Sequence, residues 1–388
     1  MSDERMFFSR QGLLPQVSLP ALRKSSVLVL GLGNVGSPTA GFLALAGIGK
    51  LVLVDNDDVK EENLSKGIFT RQDLGKTKVE ATAGWIRERT PYTEVETLCA
   101  DLRVEVPEQV FSSHDAVVPA TDSWSSRAYA NRWAHALAGK TRVVVSGGLN
   151  RMDWDVITSV PGSGLGCAQC PHSADLLRAD EEGGCGLLGG NAPDRADPSI
   201  GFMGAMVAAV MVMEVARALS GGAPGRPGSM LSFDFETREL VSRRIMPDPR
   251  CPGHRRLAEY QDVVTVPVDD YRVADLAGLV AAETGAGAGA VTLAFDRELV
   301  RGRRCLACSH YEAVRKPLVV ARPALGRPCP RCGGETFDIE THTVLDEPDL
   351  RLSQTGVVPG KALRAFAGER EVLVLPLSPD DVSRGGSE

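Results

Sequence analysis

The sequence predicts an α/β protein with a doubly wound, Rossmann-like and mostly parallel sheet, an antiparallel extension, and a small C-terminal α+β domain bearing a zinc ribbon. Three observations predict this fold. Apolar runs alternate with helix-like segments up to about residue 150, which favours parallel strands between helices. From Trp154 onwards, predicted strands flank one apolar helix, which is typical of antiparallel pairing. Beyond residue 255, paired cysteines interrupt a further strand–helix–strand pattern.

Bulk composition restricts the class of protein. The chain has 388 residues, of which 43% are hydrophobic and 24% charged, as in globular proteins of two or three domains. Its net charge of −7 argues against a general nucleic-acid binder. The apolar run Ile200–Met213 is shorter than the roughly 18 residues of a membrane span, and predicts a buried helix. The first residues lack a signal-peptide pattern, so we expect a cytoplasmic protein with no membrane or nucleic-acid partner.

We expect two domains with a boundary near residue 255. Residues 1–255 would hold the doubly wound sheet and a crossover loop over residues 171–198, which is rich in Gly, Asp and Ala. Residues 256–388 would form the α+β domain, with the ribbon inserted over residues 303–335. Long loops like the crossover are frequently functional.

The first strand–turn–helix–strand unit runs from Ser26 to Asp57. Its turn contains Gly31, Gly33 and Gly36. After a β-branched run and before a helix, this spacing marks a nucleotide site, because the glycines allow a tight turn, close approach of phosphate, and close helix–strand packing. Asp55 and Asp57 follow the last glycine by about 20 residues, where acidic side chains accept ribose hydroxyls. Taken alone, the unit favours NAD or FAD.

The remaining elements follow from the same alternation. In the first domain we predict a helix over residues 77–89, strands over 93–99 and 115–120, a helix over 124–137, and a strand over 143–146 that ends in two glycines. Strands over 156–160, 231–235 and 240–245 then flank a helix over 199–219. In the second domain a β-α-β unit comprises VVTVPV, ADLAGLVAAETG and AVTLAF.

Six of the nine cysteines form three C-x-x-C pairs, which in this sequence favour metal sites over disulfides. The second and third pairs are Cys305/Cys308 and Cys329/Cys332. About 20 residues separate them, which is the spacing of a zinc ribbon. We expect a structural or partner-docking role for this ribbon, and a redox dithiol is the alternative.

Five motifs in a fixed order resemble the ThiF/MoeB/HesA superfamily of ubiquitin-activating-type adenylyltransferases. They are FSRQ at residues 8–11, GLGNVGSP, VDNDDVKEENL, GKTKVE and ATDSWSSR, and the resemblance covers about residues 6–255. It implies ATP and Mg²⁺ as cofactors and a homodimer. It also implies that the C-terminal glycine carboxylate of a small ubiquitin-like or sulfur-carrier protein attacks the α-phosphorus of ATP.

The resemblance also implies roles for individual residues. Because a carboxylate must approach a polyphosphate, cations are the groups that this chemistry needs. By its place in the motifs, Lys78 would contact the phosphates, and Arg10 would reach the site across the dimer interface. Asn63 would lie beside the α-phosphate, and Asp122 would coordinate magnesium. Asp55 and Asp57 would bind the ribose.

One family position differs in this chain. Lys66 stands where the family usually has arginine, and lysine keeps the charge but lacks the planar fork. Nearby Arg71 could compensate. Each of these cations could instead be a solvated or helix-capping residue, and we expect Arg127 to be structural.

The resemblance assigns a structural zinc site to Cys167, Cys170, Cys251 and His254, with burial of the cysteines as the alternative. Cys185, in the crossover loop, matches the region where some members form a thioester or persulfide, although a lone cysteine there could be incidental. Cys99 is predicted to be a core residue.

We therefore expect an enzyme that adenylates a ubiquitin-like or sulfur-carrier protein, with a downstream cysteine transferase as a further partner. Adenylation of a ribosomal peptide keeps the fold and changes the substrate. Two rival hypotheses are an NAD-dependent oxidoreductase and a zinc-bearing pseudoenzyme scaffold, and Lys66 is the residue that favours the scaffold.

Overall fold

The computed structural model describes residues 3–137, 139–172, 199–221, 226–249, 251, 253, 263–268, 271–317, 325, 327–355, 357, 363–367 and 370–377. The chain divides into two compact units. The first comprises Met1–Arg103 and Gln109–Arg256, and the second comprises Val104–Glu108 and Leu257–Glu388.

The first unit is built on a mixed sheet. Its described strands are β1 (Ser26–Leu30), β2 (Lys50–Val54), β3 (Glu94–Leu98), β4 (Ala116–Pro119), β5 (Val143–Asn150), β6 (Asp153–Ser159), β7 (Ser229–Phe233) and β8 (Leu240–Arg244). Their order is β3-β2-β1-β4-β5-β6-β7-β8. The pairs from β3 to β5 are parallel and those from β5 to β8 are antiparallel, which confirms the predicted doubly wound sheet with its antiparallel extension.

Helices cover this sheet. Those described in the first unit are α1 (Asp3–Phe7), α2 (Leu19–Arg23), α3 (Gly36–Leu45), α4 (Lys78–Arg89), α5 (Trp124–Ala136) and α6 (Gly201–Leu219). Side chains cap two of them, because Thr77 Oγ1 accepts from Glu80 N and Ser123 Oγ accepts from Ser126 N. Helix α6 packs against α3 and β5.

The core of the first unit lies between the parallel strands and these helices. All five residues of β1 are buried, as expected for a strand covered on both faces. Helix α6 has the length and apolar composition of a membrane span, with a mean hydropathy of 1.8, but 56% of its apolar window is buried inside the protein. Met203, Val207 and Met211 of α6 belong to the core cluster.

The second unit contains β9 (Val263–Pro267), α7 (Val273–Thr284), β10 (Val291–Cys305), β11 (Tyr311–Pro317), β12 (Phe337–Val344), β13 (Leu363–Ala367) and β14 (Arg370–Leu377). The sheet order is β11-β10-β13-β14-β9, and β12 also pairs with β10. The predicted β-α-β unit is present as β9, α7 and β10. Strands β13 and β14 lie between β10 and β9 in this sheet. The C-terminal half of β10, from Leu299 onwards, pairs with β11 and β12, and these three strands form an arm.

The predicted end of β5 is wrong. The strand predicted over 143–146 continues through Gly147 and Gly148 to Asn150, because Gly147 pairs with Val156 in the β5–β6 ladder. A Cβ at Gly147 would lie 2.4 Å from Met211 Sδ, so this glycine serves close packing of α6 on the strand rather than a turn.

We predict opposite effects for two glycine-to-alanine substitutions in helices of the first unit. In Gly36→Ala the new Cβ would meet a backbone oxygen at 1.8 Å, so we expect the free energy of unfolding to fall by about 3 kcal/mol or more. In Gly84→Ala, where no described atom lies within 4 Å, better helix propensity should raise it by about 0.5–1 kcal/mol. Urea denaturation measures both, and equal changes would contradict the packing described.

Candidate nucleotide site and cysteine clusters

The loop between β1 and α3 packs tightly against the end of β4. Gly31 has a φ of 83°, and a Cβ there would lie 3.0 Å from Ala120 O and from Thr121 N. A Cβ on Gly36 would lie 1.8 Å from Gly31 O. Around Gly33, a Cβ would meet no described atom within 4 Å. The loop is therefore closed on its protein side and open at Gly33, the arrangement that lets a phosphate approach the backbone.

The Asp55 carboxylate fastens this loop to the end of β2. Its Oδ2 accepts a hydrogen bond from Leu32 N at 2.6 Å, and its Oδ1 accepts one from Asp57 N at 2.8 Å. Burial raises the pKa of Asp55, and the charge of Lys78 with the two N–H groups opposes that rise. Asp55 thus organises the backbone of the loop, and its carboxylate oxygens have further lone pairs for a ligand.

Lys78 is a buried cation at the first position of α4. Only 8% of the residue is exposed, and its Nζ lies 2.7 Å from Asp57 Oδ2. Desolvation lowers the pKa of Lys78, but the carboxylates of Asp55, Asp57 and Asp122 outweigh it, so the pKa is raised and the ammonium stays charged. Because the Asp57 side chain is 59% exposed, it can move aside for a phosphate at little cost.

Asp122 is exposed in the connection between β4 and α5. Asp122 follows the last residue of β4 by three positions, at the carboxyl edge of the parallel strands, and its charge helps to raise the pKa of Lys78. The capped N-terminus of α5 begins two residues later, at Trp124. The structure therefore brings Asp55, Asp57 and Lys78 together beside the glycine loop, with the charge of Asp122 acting on Lys78, and the roles of these residues towards ATP stay predictions.

Arg127 supports the backbone beside Asp122. It is 5% exposed, its Nε donates to Thr121 O at 2.7 Å, and its guanidinium lies 4.6 Å from the ring centre of Trp124. A Cβ at Gly148 would lie 2.3 Å from its terminal nitrogens. The sequence predicted a structural role for Arg127, and these contacts specify it: the side chain holds the connection that carries Asp122.

Lys66 lies beside the glycine loop. The next residue, Gly67, has a φ of 69°, and a Cβ on it would lie 2.3 Å from Ser37 Oγ in the first turn of α3. A Cβ on Gly201, the first residue of α6, would lie 3.5 Å from Lys66 Cα. The backbone of Lys66 is thus enclosed between the N-termini of α3 and α6, next to the loop expected to hold phosphates.

The remaining predicted cations and the asparagine have different surroundings. Asn63 Oδ1 accepts from Lys60 N at 2.8 Å and so caps a short 3₁₀ turn. Arg71 Nη2 pairs with Glu61 Oε1 at 3.1 Å, and both side chains are mostly exposed. Arg10 is exposed after α1. The described chain shows neither Arg71 nor Arg10 in the group around Lys78.

The first cysteine cluster consists of Cys167, Cys170 and Cys251. Cys167 Sγ lies 3.7 Å from Cys170 Sγ and 3.9 Å from Cys251 Sγ. Four sulfurs at about 2.3 Å from a tetrahedral zinc ion would be about 3.8 Å apart, so the spacing fits this metal. Hydrogen bonds with Cys167 and Cys251 lower the pKa of the Cys170 thiol, which favours the thiolate form that binds metal. His254, the predicted fourth ligand, lies outside the described residues and stays a prediction.

The second cysteine cluster consists of Cys305, Cys308, Cys329 and Cys332, whose sulfurs all lie within 4.8 Å of one another. Cys305 Sγ lies 3.6 Å from Cys332 Sγ, and Cys308 Sγ lies 3.7 Å from Cys329 Sγ. These distances fit tetrahedral zinc and are far longer than a disulfide bond of about 2.05 Å. Desolvation raises the pKa of the Cys305 thiol. Hydrogen bonds from backbone N–H groups outweigh this effect and lower the pKa to about 7.

A buried arginine joins the two halves of the second cysteine cluster. Arg303 is 2% exposed, its Nη2 lies 2.7 Å from Glu312 Oε2, and its guanidinium lies 4.1 Å from the ring centre of Phe337. Its Nη1 donates to Leu325 O at 3.0 Å and to Arg327 O, just before the second pair of cysteines. The sequence offered no signal for this role, because the arginine is one of several in a basic stretch.

Two further predictions concern single cysteines. Cys99 is exposed at the end of β3, so the prediction that it is a core residue is wrong: the burial of β3 alternates and Leu98 beside it is also exposed. Cys185 lies outside the described residues, and its proposed covalent role stays a prediction.

We expect the purified protein to bind two zinc ions per chain, because two separate clusters supply thiolates at the right spacing. Cys305→Ser should remove one ion and leave the other, as measured by atomic emission. Cys99→Ser is the matched control, since this exposed cysteine belongs to neither cluster. A Cys305→Ser protein with both ions still bound would contradict the assignment.

The chain is similar to curated proteins that are named adenylyltransferases. The sulfur carrier protein ThiS adenylyltransferase of Escherichia coli is 30% identical over 257 residues, which cover 64% of this chain and 95% of that protein. The adenylyltransferase and sulfurtransferase uba4 of Aspergillus clavatus is 28% identical over 263 residues, covering 63% of this chain and 51% of the relative. The chain thus spans about half the length of this fungal relative.

Solved structures share the fold of the first unit. The Microcin C7 biosynthetic enzyme MccB, in complex with N-formylated MccA, matches with a TM-score of 0.54 at 17% identity, over 64% of this chain and 74% of that one. A model described as ThiF family matches residues 8–253, which include the glycine loop, Lys78, Asp122 and the first cysteine cluster. The chain therefore belongs to the ThiF family.

Proposed function

We propose that the protein is an ATP-dependent adenylyltransferase that activates the C-terminal glycine carboxylate of a small ubiquitin-like or sulfur-carrier protein. The observation that carries the proposal is the group formed by Lys78, Asp57 and Asp122 beside a glycine loop that leaves space at Gly33. Membership of the ThiF family and the named activity of the Escherichia coli relative support it.

Each residue of the site has a separate role in binding ATP. The N–H groups at the start of α3 face the phosphates, as helix N-termini do for anions. The Lys78 ammonium leaves Asp57 and pairs with a phosphate, so that Asp57 turns to the ribose. Asp55 keeps its bonds to the loop and accepts a ribose hydroxyl with a remaining lone pair. Asp122 would hold the magnesium ion, which offsets phosphate charge when it is bound. Lys66 adds a second positive charge beside the loop.

In the reaction, a carboxylate oxygen of the carrier attacks the α-phosphorus and forms the acyl-adenylate bond. The bond from the α-phosphorus to the bridging oxygen breaks, and pyrophosphate leaves with the electron pair. Both reactants are anions, so the rate depends on positioning and on neutralised charge. Asn63 would lie beside the α-phosphate, and Arg10 would complete the site from a partner copy.

We propose a homodimer because α6 exposes apolar side chains in one row. Phe202 is 52% exposed, Met206 39% and Met213 43%, and their spacing puts them on one helix face. Leu13, close to Arg10 in sequence, is 77% exposed. A second copy covering such side chains would also bring Arg10 near a neighbouring nucleotide site.

The first test is ATP–pyrophosphate exchange with candidate substrates. We expect exchange with carrier proteins that end in Gly-Gly, and a loss of about 100-fold in Lys78→Met because the buried cation is removed. Lys76→Met is the matched control, since Lys76 is exposed and pairs with Asp73. Exchange that ignores every such carrier and requires a short ribosomal peptide would sink the proposed substrate class. Absence of exchange with any substrate would favour a scaffold.

A second prediction concerns the step after adenylation. If Cys185 attacks the acyl-adenylate, AMP leaves and a thioester to the carrier forms, which a downstream transferase could accept. We expect a carrier adduct that is cleaved by added thiol and is absent from Cys185→Ser, while Cys99→Ser retains it. An adduct that persists in Cys185→Ser would exclude this role. The carrier would then pass to a sulfur donor as the adenylate.

A further inference from the structure

Helix α5 connects the first cysteine cluster to the nucleotide site. Its N-terminus begins directly after Asp122 and the capping residue Ser123. Asn131 lies eight residues further along the chain, about 12 Å along the helix axis. Both ends of this helix segment therefore belong to a candidate site.

Asn131 bonds to both halves of the first cysteine cluster. It is fully buried, its Nδ2 donates to Gly253 O at 2.8 Å, and its Oδ1 accepts from Ala168 N at 3.4 Å. Gly253 follows Cys251 by two residues, and Ala168 lies between Cys167 and Cys170. The two halves are about 80 residues apart in the chain, so this one amide joins segments that have no sequence proximity.

A second set of contacts runs parallel to the helix. His172, two residues after Cys170, packs its ring 4.2 Å from that of Trp124. Trp124 lies under the Arg127 guanidinium at 4.6 Å, and Arg127 Nε donates to the carbonyl of Thr121 at 2.7 Å. Contacts therefore continue from the cysteine segment to the residue that precedes Asp122.

We propose that Asn131 is a positioning residue that binds both halves of the first cysteine cluster to α5, so that the metal held there keeps Asp122 in place for Mg·ATP. The coupling to Mg·ATP rests on the proposed function, whereas the bonding of Asn131 to the cluster does not. The metal site then contributes to nucleotide binding and does more than stabilise the fold.

The test uses Asn131→Asp in the full-length protein. Aspartate keeps an acceptor for Ala168 N and replaces the amide N–H donor to Gly253 O with a carboxyl oxygen. We expect the zinc affinity of the first cluster, measured by competition with a chromogenic chelator, to fall about 10- to 100-fold. The second cysteine cluster serves as the internal reference. Calorimetric affinity for Mg²⁺ with a non-hydrolysable ATP analogue should fall in parallel.

Ser159→Ala is the matched control. Ser159 Oγ donates to Asn131 Oδ1 at 3.2 Å, so the variant removes a buried hydrogen bond from the same amide and leaves both cluster contacts intact. We expect near wild-type affinity for zinc and nucleotide. Unchanged zinc affinity in Asn131→Asp, or weakened zinc binding with unchanged nucleotide affinity, would overturn the proposal.

Hydrogen exchange on the unmutated protein gives a measurement that does not depend on variants folding. Removal of zinc by a chelator should speed exchange at residues 121–136 as well as at 167–172. Faster exchange confined to 167–172 would refute the coupling. If the wild-type protein binds no Mg·ATP analogue, the proposed function fails, and zinc affinity and exchange still decide the role of Asn131.

Discussion

The contact between Gly36 and the carbonyl of Gly31 is the constraint on which the nucleotide site depends. With a Cβ position 1.8 Å from that oxygen, α3 can approach β1 only because a side chain is missing. This close approach places the N-terminus of α3 at the carboxyl edge of the sheet. Asp55 then fixes the loop from the other side through Leu32 N. Every other group of the site is arranged around this closed turn.

The electrostatics of the site reflect what it is proposed to bind. Three carboxylates surround Lys78, and they hold its pKa above the ordinary value in spite of burial. A triphosphate would replace part of that negative charge, and a cation held by Asp122 would compensate for the rest. The Lys78 ammonium is therefore paired with Asp57 before any phosphate is bound, and a phosphate would take the place of that carboxylate.

The two cysteine clusters are supported in different ways. The first is fastened to a helix of the sheet domain by a buried amide, Asn131, and lies in the part of the chain that matches the ThiF family. The second lies on the arm formed by β10, β11 and β12, where the buried Arg303 pairs with the part-exposed Glu312 and stacks on Phe337. A metal ion bound there would join the segments that carry the two cysteine pairs and so stabilise the arm.

Much of this protein could be predicted from local sequence. The glycine spacing, the alternation of apolar runs and the C-x-x-C pairs are short-range patterns, and the structure has the parallel sheet, its antiparallel extension and the second cysteine cluster where they predict them. The grouping of Cys251 with Cys167 and Cys170 was implied by the family resemblance instead. The resemblance of five ordered motifs selected Asp55, Asp57 and Asp122, whose charges act on Lys78. It also selected Arg10 and Asn63, which have other surroundings in the described chain.

Other features depend on contacts between distant segments. Strand β5 continues through Gly147 and Gly148 because it pairs with β6 and because Met211 packs against Gly147. No local sequence pattern encodes these two contacts. The same holds for the bonds of Asn131 to Ala168 and Gly253, and for Arg303 inside the arm. Spacing in the sequence therefore determined which groups could bind a nucleotide or a metal. Only the tertiary structure decided which buried polar side chains hold them in place, because a hydrogen bond needs its partner from elsewhere in the chain.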